Sequence, residues 1–163
     1  MKLQIVESFE LRVLKESFER IRICLKMLSN DQLWYSPSKN IPSIGCLVLH
    51  SCGNARQWIL SGLGGIVDNR QRELEFRPEN EISIDELEIT LTQLSSDLIP
   101  FLNELTEADL KKKLTIQGFD VDGFSAMIHV IEHFSYHTGQ ITTLTKLFTN
   151  KETNYYADVD LDN

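Results

Sequence analysis

The chain is predicted to be all-α, a single-domain four-helix bundle. Four long segments carry apolar residues at helical spacing, almost no stretch alternates with period two, and 163 residues with 42% hydrophobic content suffice for one sizeable core but are short for two. Four amphipathic helices of about 20 residues each would bury their stripes against one another. The bundle is expected over residues 1–150, followed by a polar, acidic tail over 151–163.

The first helix is expected from about Val6 to Leu28, where Phe9, Leu11, Val13, Leu14, Phe18, Ile21, Ile23, Leu25 and Leu28 form a wide apolar stripe; Ser29, Asn30 and Asp31 end it. A turn-rich loop follows over 36–42, and Ser43 is a good N-cap for a second helix reaching about Leu60, stopped by Gly62, Gly64 and Gly65. The third is expected from about Ser83 to Leu105, with Ser83 as cap and Asp85 and Glu86 at the positive end of the helix dipole. Between Thr106 and Gly123 the pattern weakens, and 113–119 reads as a short extended piece before a fourth helix from about Phe124 to Phe148. Asp158, Asp160 and Asp162 near the end read as a solvated, frayed terminus rather than a metal loop.

Composition narrows the function classes. With 16 Lys and Arg against 24 Asp and Glu, the net charge of -8 argues against a binder of phosphate backbones. No apolar run approaches the roughly 20 residues that span a bilayer, and the charged, amphipathic start is not a secretory core. A cytoplasmic protein with no nucleic-acid or membrane partner is expected. Cys24, Cys46 and Cys52 form an odd set without CxxC spacing, which reads as reduced core thiols rather than a disulfide framework.

The chemistry concentrates in 129–137, HVIEHFSYH, where His129, His133 and His137 follow one another at four-residue steps along one side of a helix. The remaining histidine, His50, lies in the second helix. A mononuclear metal site with an open position commonly takes three protein ligands, and an HxxxH pair plus one remote residue supplies them. On the fourth helix Met127, Val130, Ile131, Phe134, Ile141 and Phe148 mark the buried side. His137 falls within about 60° of its centre, His133 near its edge and His129 farther round, beside Glu132. On the second helix Ile44, Leu47, Val48, Ala55, Trp58 and Ile59 face the core, with His50 and Asn54 together on one flank. Packing histidines, each satisfied by hydrogen bonds, are the alternative to a metal site. The match of 129–133 to HxxEH, the inverted zinc-peptidase motif, lacks room downstream for a third ligand. A di-iron carboxylate site would need ExxH pairs on two helices, and the third helix, with Glu86, Glu88 and Glu104, has none.

The segments LVLHSCGNARQWI (47–59) and HVIEHFSYHTGQI (129–141), with WYSP (34–37) before them, resemble the DinB/YfiT-like superfamily of metal-dependent enzymes over nearly the whole chain. The resemblance implies a four-helix bundle holding a divalent transition metal, zinc or nickel with iron as a further candidate, on His50, His133 and His137; His129 then sits behind the ligands or on the surface. It also implies a homodimer and a small-molecule substrate, with low-molecular-weight thiols among those used by relatives. The functional expectation is therefore a metal-dependent S-transferase or hydrolase. The alternative is a non-catalytic dimeric bundle in which any metal is structural. Asn54 and Gln140 are placed to orient an imidazole or touch a ligand. Glu132 and Tyr136, though capable of proton transfer, are expected to point away from His137. Trp34 and Trp58 read as packing anchors, and Arg56 as an exposed arginine.

Overall fold

The computed structural model describes residues 3–77, 82–157 and 159–160. Helix α1 runs without interruption through Gln4–Phe9, a π-helical stretch Glu10–Ser17 and Phe18–Met27. A short α2 (Asn30–Trp34) is held by a capping box between Ser29 and Gln32. Helix α3 begins at its cap Ser43 as Ile44–Ala55 and continues as a π-helical Arg56–Leu63. It stops at Gly64 and Gly65, the latter at φ +73°, a left-handed conformation that glycine adopts without steric penalty. A crossover containing a 3₁₀ turn (Arg72–Phe76) leads to α4 (Ile84–Glu104), whose Ser83–Glu86 capping box satisfies the first turn. Helix α5 (Glu107–Lys111) and an antiparallel hairpin, β1 (Lys113–Ile116) with β2 (Phe119–Asp122), precede α6 (Gly123–Thr149).

Four long helices among the described residues, α1, α3, α4 and α6, enclose one core. Phe9, Val13, Phe18, Ile21 and Leu25 of α1, Leu87, Leu91, Leu94 and Leu98 of α4, and Met127, Val130, Phe134 and Ile141 of α6 are fully buried there. The three cysteines are free and buried. One face of α1 departs from expectation: Leu11 is exposed and Leu14 only partly covered. Leu11 lies two residues, about 200°, from both Phe9 and Val13 and so stands opposite the buried stripe, while Ser17, one turn beyond Val13 at the end of the π-helical stretch, falls on it. Ser17 Oγ donates to the Arg12 carbonyl at 2.7 Å, a pairing at five-residue separation that suits this geometry.

The sequence pattern also missed the short helices and the pairing of the extended piece into a hairpin, all too brief for periodicity to register. After α6, which ends on a left-handed Asn150, the chain docks back instead of leaving the bundle. Thr153 is buried, and Arg20 lies over the Tyr155 and Tyr156 rings. Thr142 gives its proton to the Thr138 carbonyl, so Tyr155 must donate to Thr142 at 2.7 Å and accept from Cys24 at 3.1 Å. Asp160 is exposed, while Asp158 and Asp162 lie outside the described residues. No helix among those residues is long and apolar enough to cross a membrane.

Leu94 lies in the middle of α4 with no exposed surface. Leu94→Ala is expected to lower the unfolding free energy by about 2–5 kcal/mol through lost transfer energy and a residual cavity. Urea denaturation should show this as a lower midpoint with unchanged slope; an unshifted midpoint would contradict this core.

Candidate metal centre

Helices α3 and α6 lie side by side and antiparallel, so residues that rise along one meet residues that fall along the other. His50 meets His133, and one turn farther along α3 Asn54 meets His129. The His50 and His133 Nε2 atoms are 3.1 Å apart, and the His133 and His137 ring centroids 4.4 Å. One nitrogen from each of His50, His133 and His137 lies within 4.8 Å of the other two. His50 is buried, and the other two are half-buried at the edge of the core.

The crossover after α3 closes over His50 from the other side. Glu75 Oε2 is 2.9 Å from His50 Nδ1, and Arg70 holds the carboxylate at both oxygens, Nε to Oε1 at 2.6 Å and Nη2 to Oε2 at 2.8 Å. Arg70 Nη2 also lies 3.1 Å from His50 Nδ1, but its two N–H groups are taken by Glu75 Oε2 and the His50 carbonyl, and a bare Nδ1 lone pair would face the carboxylate at 2.9 Å. The Nδ1 proton is therefore assigned to His50 and donated to Glu75. Phe76 packs against the His50 ring with centroids 4.9 Å apart. Gly53, one residue before Asn54, provides the space: a Cβ there would run into Glu75 Oε1 and come within 2.9 Å of Arg70 Nε.

These contacts set the protonation of the cluster. With its Nδ1 proton given to Glu75, His50 presents a bare lone pair at Nε2. Two bare lone pairs at 3.1 Å repel, so either a proton or a cation must lie between His50 and His133. His137 Nδ1 pairs with Gln140 Oε1 at 2.7 Å, which leaves Nε2 as its free nitrogen. Burial, then the neighbouring His137 and His50, push the His133 pKa down to about 3. Burial also holds His137 below the usual imidazole value, against the opposing effect of the hydrogen bond it donates to Gln140. For Glu75, burial favours the neutral acid, but hydrogen bonds from His50 and Arg70 and the charge of Arg70 outweigh it and hold the carboxyl below its ordinary range. His133 and His137 are thus kept in the neutral form that binds metals.

The residues present fit a divalent ion. Nitrogens bound tetrahedrally at about 2.1 Å stand roughly 3.4 Å apart, close to the His50–His133 separation. His133 Nδ1, moreover, is buried without a partner, which is costly for a histidine placed there only for packing.

The remaining expected residues fall around this cluster. Gln140 touches His137, and Asn54 Nδ2 is 3.2 Å from His129 Nε2. His129 stacks on Trp58 at 3.7 Å, half-buried rather than on a wet face, and burial lowers its pKa. Glu132 is exposed as expected, but Tyr136, also exposed, sets its ring edge-on against His137 with centroids 5.1 Å apart. Arg56 pairs with Asp97 at 2.7 Å. Sequence reasoning missed Arg70, Glu75 and Phe76, because a charged loop without periodicity looks the same whether solvated or folded inward. Burial pushes the Cys52 thiol up to about 12, which favours the protonated form.

A groove of about 1070 Å³ between α1 and α6 is lined by none of the three histidines. A groove of about 500 Å³ is lined by Gln140 and Tyr136, both in contact with His137, with Ile41, Pro42, Leu47 and Leu144 as apolar walls. A smaller one, about 390 Å³, shares Ile41 and Pro42 and adds Lys39 and Phe76.

The sequence profile of a family described as a protein of unknown function, DUF1572, matches residues 5–157. The fold is that of DinB-like proteins. A DinB-like protein from Bacillus cereus ATCC 10987 superposes with a TM-score of 0.67 at 20% identity, covering 87% of this chain and 91% of that one. A DinB-like protein from Bacillus subtilis superposes at 0.60 with 18% identity, covering 92% and 95%. No curated protein matches the sequence.

A histidine whose folded pKa is depressed stays neutral while the unfolded chain takes up a proton, so stability is lost as pH falls from the unfolded value near 6.5 toward the folded value of about 3. The metal-free protein should therefore melt progressively lower between pH 6.5 and pH 4, with a shallower dependence in His133→Asn. Parallel pH dependences in parent and variant would show that His133 is not protected from protonation.

Proposed function

The chain belongs to the DUF1572 family of proteins of unknown function, and we propose that this member is a divalent-metal-dependent enzyme whose ion is held by His50, His133 and His137. The observation that carries the reading is the pair of imidazole nitrogens 3.1 Å apart, one of them already committed as a lone pair, with a third imidazole beside them. Zinc or nickel suits such a set, with iron as a further candidate. When bound, the ion would acidify a coordinated water or thiol and stabilise the anion formed.

The chain's own groups do the rest. Three neutral imidazoles add no negative charge, so the centre retains its attraction for an anionic ligand. Gln140 fixes the His137 ring, and Glu75 fixes that of His50. Ile41, Pro42, Leu47 and Leu144 offer an apolar wall leading to the centre, against which the body of a small substrate can lie and exclude water. Lys39 in the adjoining groove would meet a carboxylate on it. These features support transfer to or from a low-molecular-weight thiol, or hydrolysis, with the thiol reading resting on the resemblance to the DinB/YfiT-like superfamily.

Elemental analysis of tag-free protein, purified without added metal or chelator, tests the centre. About one transition metal per chain is expected, lost in His50→Ala, His133→Ala and His137→Ala but largely kept in His129→Ala. Absence of metal after reconstitution with zinc and nickel, or equal loss from His129→Ala and His133→Ala, would refute the ligand assignment. If the centre is catalytic, removing the metal should lower the melting temperature only modestly and leave an exchangeable water on the loaded protein; strong destabilisation and a closed centre would favour a structural metal instead.

A further inference from the structure

We propose that Glu75, clamped by Arg70 into the space above Gly53, is the positioning residue that fixes His50 for metal binding, so that docking of the crossover completes the centre. The inference rests on the metal centre proposed above and goes beyond its three histidines.

A buried Arg–Glu pair is poorly explained by stability alone. Desolvating two charges costs several kcal/mol per ion, and their attraction recovers this only when every hydrogen-bonding position is filled. Here the Arg70 side chain is 5% exposed and that of Glu75 11%, on a loop with open solvent nearby. Both carboxylate oxygens are used. Oε1 accepts from Arg70 Nε, and Oε2 accepts from Arg70 Nη2 and His50 Nδ1. The guanidinium is in turn locked to α3, donating to Gln57 Oε1 at 2.8 Å and to the His50 carbonyl at 3.3 Å. Asp68 holds the loop from the other side, accepting from the Arg70 backbone at 3.0 Å and from Gln57 at 2.6 Å.

The result is a carboxylate whose own position is over-determined, aimed at the far nitrogen of one histidine of the cluster. Such a partner sets the tautomer and ring angle of a ligating imidazole and strengthens it as a donor. Of the three rings, only His50 has this support: His137 rests on a neutral amide, and His133 Nδ1 has no partner. Arg70 balances the carboxylate, so the proton remains on His50 Nδ1 and Nε2 remains free. Gly53 makes the arrangement possible, because the atoms a Cβ there would meet first are those of Glu75 and Arg70.

The test measures zinc affinity by chelator competition, and the visible absorption of the cobalt(II)-substituted protein, for the parent, Glu75→Gln, Glu75→Ala and Gly53→Ala. Glu75→Ala and Gly53→Ala are expected to weaken zinc binding roughly 10- to 100-fold and alter the cobalt bands; Glu75→Gln, which still offers an oxygen acceptor, should restore part of the loss. Melting of each metal-free variant checks folding and separates a purely structural role. Lower metal-free melting with parental zinc affinity and cobalt bands in all three variants would overturn the inference while leaving the centre intact. A parent that binds no zinc, or that keeps it in His50→Ala, would instead remove the metal centre, and this inference with it.

Discussion

The antiparallel register of α3 against α6 decides what the histidines of this protein can do. Successive residues along a helix turn by about 100°, so four-residue steps advance by about 40° around the axis as they climb one turn. His129, His133 and His137 consequently fan across the edge of α6 rather than stacking in line. With His50 level with His133, the neighbours on one side are His133 and His137, while Asn54 and Trp58, farther along α3, take His129. A slip of one turn would exchange these roles. The register itself is marked by contacts between the two helices, Trp58 stacked on His129 and Asn54 hydrogen-bonded to the same ring.

A second layer of control comes from outside the helices. Helical packing brings three imidazoles together and gives the outer nitrogen of His137 the Gln140 amide, but no residue of α3 or α6 pairs with that of His50. The crossover supplies one for His50, and it does so with a charged pair that could not be buried unless fully hydrogen-bonded. The π-helical continuation of α3 begins three residues beyond Gly53 and carries Gln57, which links the loop to the helix. Loop, helix and cluster thus form one hydrogen-bonded unit whose parts are far apart in sequence.

The chemical character of the cluster follows from this enclosure. Burial disfavours imidazolium more than any single neighbour does, and each histidine would repel charge on the next. Neutral nitrogens converging at the rim of an apolar core suit a soft or borderline cation better than a calcium-type ion, which prefers oxygen. The apolar groove beyond Gln140 places organic surface next to that point.

Much of this was readable from residue order. The apolar stripes of α3, α4 and α6 set the helices, Ser43 and Ser83 their starts, and the four-residue spacing the face on which the histidines lie, because helix periodicity and capping are local properties of the chain. The nearness of His50 to His133 and His137 was expected from flank positions and from the DinB/YfiT-like resemblance. Three things escaped. Part of α1 winds as a π-helix, the polar tail carries tyrosines that anchor it, and Arg70 and Glu75 fold inward. Periodicity reports which way a regular helix faces. Which loop closes over it, and where two helices stop sliding along each other, depend on contacts between residues distant in sequence, and only the packed structure decides those.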